Sequence, residues 1–281
     1  MSPYAHPEVL VETDWVAQHK SDPKVKLVEV DVDTTAYQQG HIPVAIAWNW
    51  TTQTQDQVRR DILNKEQIEA LMNQSGISND DTVVLFGDNN NWFAAYAFWL
   101  LKMYGHNDVR LMNGGRKKWL DEKRETTTDA SAARTGTGYK AKNADLSLRA
   151  QWSYVHDGLS KKNRALVDVR SPAEFKGEIL APPGLIETAQ RAGHIPGANS
   201  IPWGQAMKED NTFKAAEDLK ALYAGKGVTE DKDVVAYCRI GERSSHTWFV
   251  LKYLLGYRNV RNYDGSWTEW GSMVGMPIEK P

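Results

Sequence analysis

Cys238 is the only cysteine in 281 residues. It stands where an apolar, strand-like run, Val234-Val235-Ala236-Tyr237, gives way to Cys238-Arg239-Ile240-Gly241-Glu242-Arg243-Ser244-Ser245. A helix-like run, Thr247-Trp248-Phe249-Val250-Leu251, follows. A thiol at a strand-to-helix junction faces the positive end of the helix, and here guanidiniums stand at the first and fifth positions after it. Both influences lower a thiol's pKa, and the thiolate is the nucleophilic form. A cysteine buried only for packing has no use for those arginines, so the loop predicts a catalytic or sulfur-carrying thiolate. The six residues from Cys238 to Arg243, with Ser244-Ser245 as a helix-start signal, can turn backbone N–H groups inward onto a charged sulfur. Gly241 suits a tight turn that needs positive φ. Arg239 and Arg243 carry planar forks that match an oxyanion such as a sulfonate. Glu242 is discordant beside an anion and is expected to point outward and pair with a neighbour.

The elements that must position this loop are written twice. Gly40-His41-Ile42-Pro43 recurs 153 positions later as Gly193-His194-Ile195-Pro196, with Ala45 matching Ala198 and Trp50 matching Trp203. Further on the spacing becomes 151 and holds without a gap. Leu71 then matches Leu222, Val83 Val234, Phe98 Phe249, Gly114 Gly265 and Trp119 Trp270. Upstream, Leu27-Val28-Glu29-Val30 aligns with Leu166-Val167-Asp168-Val169. Glycines and tryptophans recurring where turns and core anchors fall predict two copies of one fold.

Each copy runs in a fixed order. A strand (Leu27–Val30; Leu166–Val169) leads to the His-Ile-Pro turn. A helix (Lys65–Asn73; Ala216–Tyr223), a second strand (Thr82–Phe86; Val234–Tyr237) and an apolar helix (Trp92–Tyr104; Thr247–Leu255) follow. A third strand (Val109–Met112; Val260–Tyr263) and a short helix at Trp119 or Trp270 close the copy. Strands alternating with helices predict an α/β fold, each copy a mainly parallel sheet flanked by helices. In such sheets ligands sit beyond the carboxyl ends of the strands, where Cys238 lies. Residues 1–125 then form the first domain, the polar, unpatterned 126–145 a linker, and 146–281 the second domain. The second copy carries 14 extra residues between Asp168 and Gly193, around Glu178–Arg191, predicted to be a long loop near the site.

Only the second copy can run thiol chemistry. At the 151 spacing Cys238 aligns with Gly87, Arg239 with Asp88 and Arg243 with Trp92. The first copy is expected to supply one wall of a cleft. His41 and His194 recur in both copies and are expected to hold their turns. Glu29 and Asp168 are expected to make structural pairs. Arg170 has no counterpart at Asp31, which favours a functional role.

Composition sets the class. With 41% hydrophobic and 25% charged residues the chain is of globular type. Its net charge of −2 offers no bulk attraction to nucleic acid or to an acidic membrane surface. One cysteine excludes an internal disulfide and a thiolate zinc cage, and favours a reducing compartment. The opening Met1-Ser2-Pro3-Tyr4-Ala5-His6-Pro7 has neither a basic nor an apolar signal region, and the longest apolar run, Trp92 to Leu101, is half a membrane span. A cytoplasmic enzyme is expected. The seven histidines are scattered without ligand spacing, so no metal or other cofactor is expected.

The duplicated Gly-His-Ile-Pro turn, Leu166-Val167-Asp168-Val169-Arg170, the Cys238–Ser245 loop and Tyr263-Asp264-Gly265-Ser266-Trp267 together resemble a tandem-domain rhodanese over nearly the whole chain. Asn89-Asn90-Asn91-Trp92-Phe93-Ala94-Ala95-Tyr96 and the Cys-Arg-Ile-Gly-Glu-Arg-Ser-Ser loop are similar to actinobacterial-type members. The resemblance implies an inactive N-terminal copy and a catalytic C-terminal one, consistent with Gly87. It implies that Cys238 attacks the outer sulfur of thiosulfate, sulfite leaves, and the persulfide passes its sulfur to a thiophilic acceptor such as cyanide, a thiol or a thioredoxin-like protein. It implies that Arg243 and Arg239 bind the donor's sulfonate, that Arg170 lies near the site and that Trp203 forms a pocket wall. Ile240 stands where animal enzymes have Lys. Three alternatives are weighed. A cysteine phosphatase needs arginine six positions after the cysteine, where Ser244 stands. A 3-mercaptopyruvate sulfurtransferase typically has a Cys-Gly-Ser-Gly loop. A non-enzymatic binding module has no need of this loop.

Overall fold

The computed structural model describes residues 3–129, 131, 136–184 and 188–281. They form two compact units. The first contains residues 8–145 together with Glu209–Thr212. Its strands are β1 (Leu10–Val11), β2 (Val25–Asp31), β3 (Ile46–Asn49), β4 (Thr82–Phe86) and β5 (Val109–Met112). They pair in parallel in the order β1-β5-β4-β2-β3. The second unit contains residues up to Pro7 with 146–208 and 213–281. Its strands β6 (Arg164–Asp168), β7 (Asn199–Ser200), β8 (Asp233–Tyr237) and β9 (Val260–Tyr263) pair in parallel in the order β7-β6-β8-β9. Matching β2–β5 to β6–β9 in sequence order gives the same neighbours in both sheets. The sequence repeat is therefore a structural one, and each copy has the α/β architecture that the alternation predicts.

The helices of the first unit are α1 (Thr13–His19), α2 (Thr35–Gln39), α3 (Trp50–Gln53), α4 (Lys65–Gln74), α5 (Trp92–Met103) and α6 (Gly115–Asp121). Those of the second are α7 (Trp152–His156), α8 (Pro172–Lys176), α9 (Ala216–Ala224), α10 (Glu242–Phe249) and α11 (Ser266–Trp270). Sheets covered on both faces explain why β4 and β8 read as continuous apolar runs: Val83–Phe86 and Val234–Tyr237 are all buried. The helix start at α4 is fixed by a capping box between Asn64 and Gln67. The matched tryptophans anchor matched cores. Trp119 packs with Leu27, Val84 and Phe86, and Trp270 with Leu166, Val235 and Tyr237. Their indole N–H groups donate to the carbonyls of Glu125 and Pro277, both at 2.9 Å.

Those two carbonyls show where a copy ends. The backbone of His41 pairs with Thr127, and that of His194 with Glu279. Residues 125–127 are thus the counterpart of the C-terminal tail and belong to the first copy's own fold. Much of the segment read as a linker is laid on the first unit. Asn73 Oδ1 accepts from the Thr137 and Tyr139 N–H groups, Tyr139 is buried, and Lys142 and Asp145 donate to the carbonyls of Tyr104 and Met103. Polar composition gives no sign of this, because backbone hydrogen bonds hold the segment together with two scattered buried side chains, Tyr139 and Ala141, that make no apolar pattern. Ala130 and residues 132–135 lie outside the described residues. At the other end, Ala5 N–H donates to the Leu254 carbonyl, so residues 3–7 pack with the second unit rather than the first.

Candidate active site

Cys238 follows β8 directly and its side chain is fully buried. The chain cannot continue the sheet, because the Cys238 N–H donates to Ser266 Oγ at 3.0 Å, while the carbonyls of Cys238 and Arg239 accept from Trp267 and Thr268. The loop after β8 is thereby bound to the start of α11. Gly241 closes the turn with φ +103°, and a Cβ there would stand 2.8 Å from Asp264 Cα. Glycine is required on both counts. Helix α10 starts immediately after it, at Glu242, two residues earlier than the serine pair predicts. Ser244 and Ser245 instead turn their hydroxyls back to the Gly241 carbonyl, at 3.1 and 2.7 Å, a bond that side-chain oxygens make readily inside a first turn.

The loop wraps the sulfur. Cys238 Sγ accepts from the Gly241 N–H at 3.1 Å and lies 3.7 Å from the Ser244 hydroxyl, and the Ser244 backbone N–H also favours its charged form. Glu242 departs from expectation. It is 3% exposed, and its Oε2 accepts from the Cys238 thiol at 3.2 Å. Repulsion from an anion predicts an outward position. A neutral thiol is a donor, however, and a carboxylate is its natural acceptor.

Arg243 is also differently placed. Both terminal nitrogens donate to Glu174 on α8, at 3.0 and 3.1 Å, in a bidentate pair buried at both ends. Glu174 is in turn fixed by a capping box with Ser171. Burial alone pushes the Glu174 carboxyl up, but the guanidinium outweighs it and holds the carboxyl below its ordinary value. Arg239 is buried at 8% exposure and Ile240 at 6%. Arg243 is matched by Glu174, and its Nε also lies 3.6 Å from Glu242 Oε1, so its charge is shared between two carboxylates. The thiol pKa is accordingly raised: burial is the largest cause, Glu242 the next, and Arg243 and Ser244 do not offset them. Arg243 and the helix start act in the lowering direction that the sequence predicts, but burial and Glu242 outweigh them and the net shift is upward.

Arg170 is a structural clamp. It is fully buried, its guanidinium binds Asp168 through Nε and Nη2 at 2.6–3.1 Å, and Nη2 also donates to the Gly193 carbonyl at 2.8 Å. It lies 4.6 Å over the Trp267 ring. The first copy builds the same knot with Arg116, which binds Glu29 and the Gly40 carbonyl. Arg116 occupies the sequence position of Trp267, and Arg170 that of Asp31. The guanidinium has moved between elements while its place in space is kept, so the absence of a counterpart at Asp31 carries no functional signal. The repeated histidines stabilise their turns as expected. His41 stacks on Tyr37 at 3.7 Å and His194 on Phe175 at 3.6 Å.

Trp203 is half-buried, receives its position from an N–H bond to the Val169 carbonyl, and meets His246 of α10 edge-on at 5.8 Å. The insertion around Glu178–Arg191 is tied down at its end. Arg191 donates to the carbonyls of Trp270, Gly271, Met273 and Met276. Residues 185–187 lie outside the described residues. Among the described residues, no group of three or more His, Cys, Asp or Glu side chains is placed to hold a metal.

Two site residues escaped the sequence reading. Glu174 had a visible signal, the Ser171-Pro172-Ala173-Glu174 capping pattern, but nothing in it names Arg243. Ser266 appeared only as part of a motif. It adopts φ +52°, a left-handed conformation, where the first copy has Gly115 at +59°. Its hydroxyl accepts from Cys238 N–H and donates to the Tyr263 carbonyl at 2.6 Å.

The family model for the rhodanese-like domain matches residues 12–122 and 151–273. A protein of Saccharopolyspora erythraea called "Putative thiosulfate sulfurtransferase" is 58% identical over 98% of this chain and 97% of its own. The "Sulfur carrier protein TtuD" of Thermus thermophilus is 56% identical over 99% and 98%. Among solved structures, the anaerobic ergothioneine biosynthesis enzyme from Chlorobium limicola has the same fold, with TM-score 0.89 and 24% identity over all of this chain and 72% of its own. A variant of EanB, 25% identical with TM-score 0.87 over the same shares, was solved with ergothioneine covalently linked to a cysteine persulfide. The chain belongs to the rhodanese-like family of sulfurtransferases, with one copy of the domain in each half.

Proposed function

We propose that the protein is a thiosulfate sulfurtransferase that works through a persulfide on Cys238. The observation that carries this reading is the enclosed sulfur of Cys238, held at a strand end with the Gly241 and Ser244 N–H groups aimed at it. The thiol sulfur forms a bond to the outer sulfur of thiosulfate, the bond to the sulfonate sulfur breaks, and sulfite leaves with the electron pair. The new outer sulfur carries negative charge, which suits N–H donors and a helix start. A thiophilic acceptor, cyanide or a thiol, then removes it and restores Cys238. Arg239 meets the donor's sulfonate, and Trp203 contributes an aromatic wall. Arg243, matched by Glu174, acts mainly by fixing the loop.

Relatives named "Putative thiosulfate sulfurtransferase" at 51–58% identity support the donor. The EanB persulfide supports the intermediate. The relative named a sulfur carrier supports a protein thiol as acceptor. No helix of the described residues is long and apolar enough to cross a membrane, and a lone thiol suits a reducing, cytoplasmic setting. The test compares thiosulfate, 3-mercaptopyruvate and an aryl phosphate as substrates at steady state, the two sulfur donors with cyanide or a small protein thiol as acceptor. Thiosulfate should give the highest kcat/KM. A higher value with 3-mercaptopyruvate, or turnover of the phosphate alone, would overturn the assignment.

A further inference from the structure

We propose that Glu242 is a catalytic proton carrier: it accepts the thiol proton of Cys238 as the sulfur attacks and delivers it to the departing group. The inference rests on the persulfide reading above, and its test is separable from it. Three observations carry it. Glu242 Oε2 stands 3.2 Å from Cys238 Sγ, within transfer distance, and the side chain is buried there rather than drawn in from solvent.

The second observation comes from comparing the copies. Glu242 occupies the position of Asn91, which is also buried and turned inward. In the first copy Asn91 Oδ1 accepts the strand-end N–H, that of Gly87, at 3.0 Å. In the second copy Ser266 has taken over that task for Cys238, and does so in a left-handed conformation that glycine occupies in the first copy. A hydroxyl placed at φ +52° carries strain. Its effect is to release the fifth loop residue from backbone duty and let a carboxylate face the sulfur.

The third is the charge around the thiol. Arg243 Nε lies 3.6 Å from Glu242 Oε1, but Arg243 is shared with Glu174 from α8. Asp264, whose backbone abuts Gly241, is paired with Arg149. At the end of β6, beside β8, Asp168 is paired with Arg170. Arg243 is thus matched by two carboxylates, Arg239 is a further buried guanidinium of the same loop, and burial with the Glu242 charge still holds the thiol above its ordinary value. Such a thiol needs a base at the moment of attack.

The balance is simple. The thiol proton passes to Glu242 as Sγ bonds to the outer sulfur. Sulfite departs with the electron pair of the broken bond and takes the proton from Glu242, leaving as hydrogen sulfite. When an acceptor removes the sulfur, Sγ regains an electron pair and a proton enters from solvent through Glu242.

The experiment uses the full-length protein, whose single cysteine gives an unmixed thiolate absorbance. Two quantities are read against pH in wild type, Glu242→Gln and Glu242→Asp: the thiol titration and the single-turnover rate of sulfur addition from thiosulfate. Removing the negative neighbour should lower the thiol pKa in Glu242→Gln, yet the rate near neutral pH should fall about 100-fold, the usual size of a lost general base. Glu242→Asp should keep the wild-type titration and recover part of the rate. A Glu242→Gln rate that rises in step with its larger thiolate fraction would overturn the proposal, as would wild-type rates in both variants. A wild type that gains no sulfur would instead remove the persulfide reading itself.

Discussion

Replacing Arg243 by alanine separates a structural account of this arginine from a purely donor-binding one. The guanidinium makes two charge-assisted bonds to Glu174, at 3.0 and 3.1 Å, and Glu174 has no exposed surface. Each such bond contributes about 1.5–3 kcal/mol, and stranding a buried carboxylate costs about 3–5 kcal/mol. Arg243→Ala should therefore lower the unfolding free energy by about 3–5 kcal/mol. The sign of its pH dependence follows from Glu174. In wild type the folded carboxyl lies below its unfolded value, so its contribution is present above about pH 4.3 and is lost as pH falls through the folded value. In Arg243→Ala the Ser171 N–H and Arg170 still favour the charge, but burial, the largest cause, loses its main opponent, so the folded value rises and stability is lost as pH increases above about 4.3. The deficit should grow between about pH 5 and pH 7.5, and Glu174→Gln in the Arg243→Ala background should return part of it. Urea unfolding followed by tryptophan fluorescence measures both. A deficit under about 1 kcal/mol, or one independent of pH, would show that Arg243 is free to serve a donor and that the ion pair is incidental.

Other expectations follow from the same contacts. Gly241→Ala combines a positive φ with a 2.8 Å approach to Asp264 Cα, so it should abolish sulfur addition while the rest of the fold survives, as judged by circular dichroism and by labelling of Cys238. Arg170→Ala strands the buried Asp168 carboxylate and should destabilise by about 3–5 kcal/mol, whereas Arg116→Ala should cost less, because burial already pushes Glu29 up to about 8. A rise in KM for thiosulfate in Arg170→Ala without loss of stability would contradict the clamp. His246 is fully buried and burial pushes its pKa down to about 3, so it stays neutral in the folded protein. Below its unfolded value of about 6.5 only the unfolded chain takes the proton, and stability should fall from there toward about pH 3. His246→Phe should flatten that slope, and an unchanged slope would refute the assignment.

The legible part of this protein was its repetition. Apolar runs set β4, β5, β8 and β9 to within a residue, because buried parallel strands leave a continuous hydrophobic trace. The single cysteine at a strand end located the loop. Short α2 and α8 escaped, since five residues carry too little periodicity to register. Side-chain direction escaped as well. Charge alone sends Glu242 outward and Arg243 toward an anion, whereas Glu242 meets the Cys238 thiol and Arg243 meets Glu174 of α8. The Arg116–Arg170 exchange was invisible for a related reason: alignment compares positions along the chain, and the guanidinium had kept its place only in space.

Intact mass of the reduced protein after incubation with thiosulfate and desalting tests whether Cys238 carries the transferred sulfur. Wild type should gain the mass of one sulfur atom and lose it again on addition of cyanide. Cys238→Ser, which changes little volume at the strand end but cannot form a persulfide, should gain nothing. Sulfur gain by Cys238→Ser, or thiosulfate turnover by wild type with no gain in mass at any time point, would contradict the account.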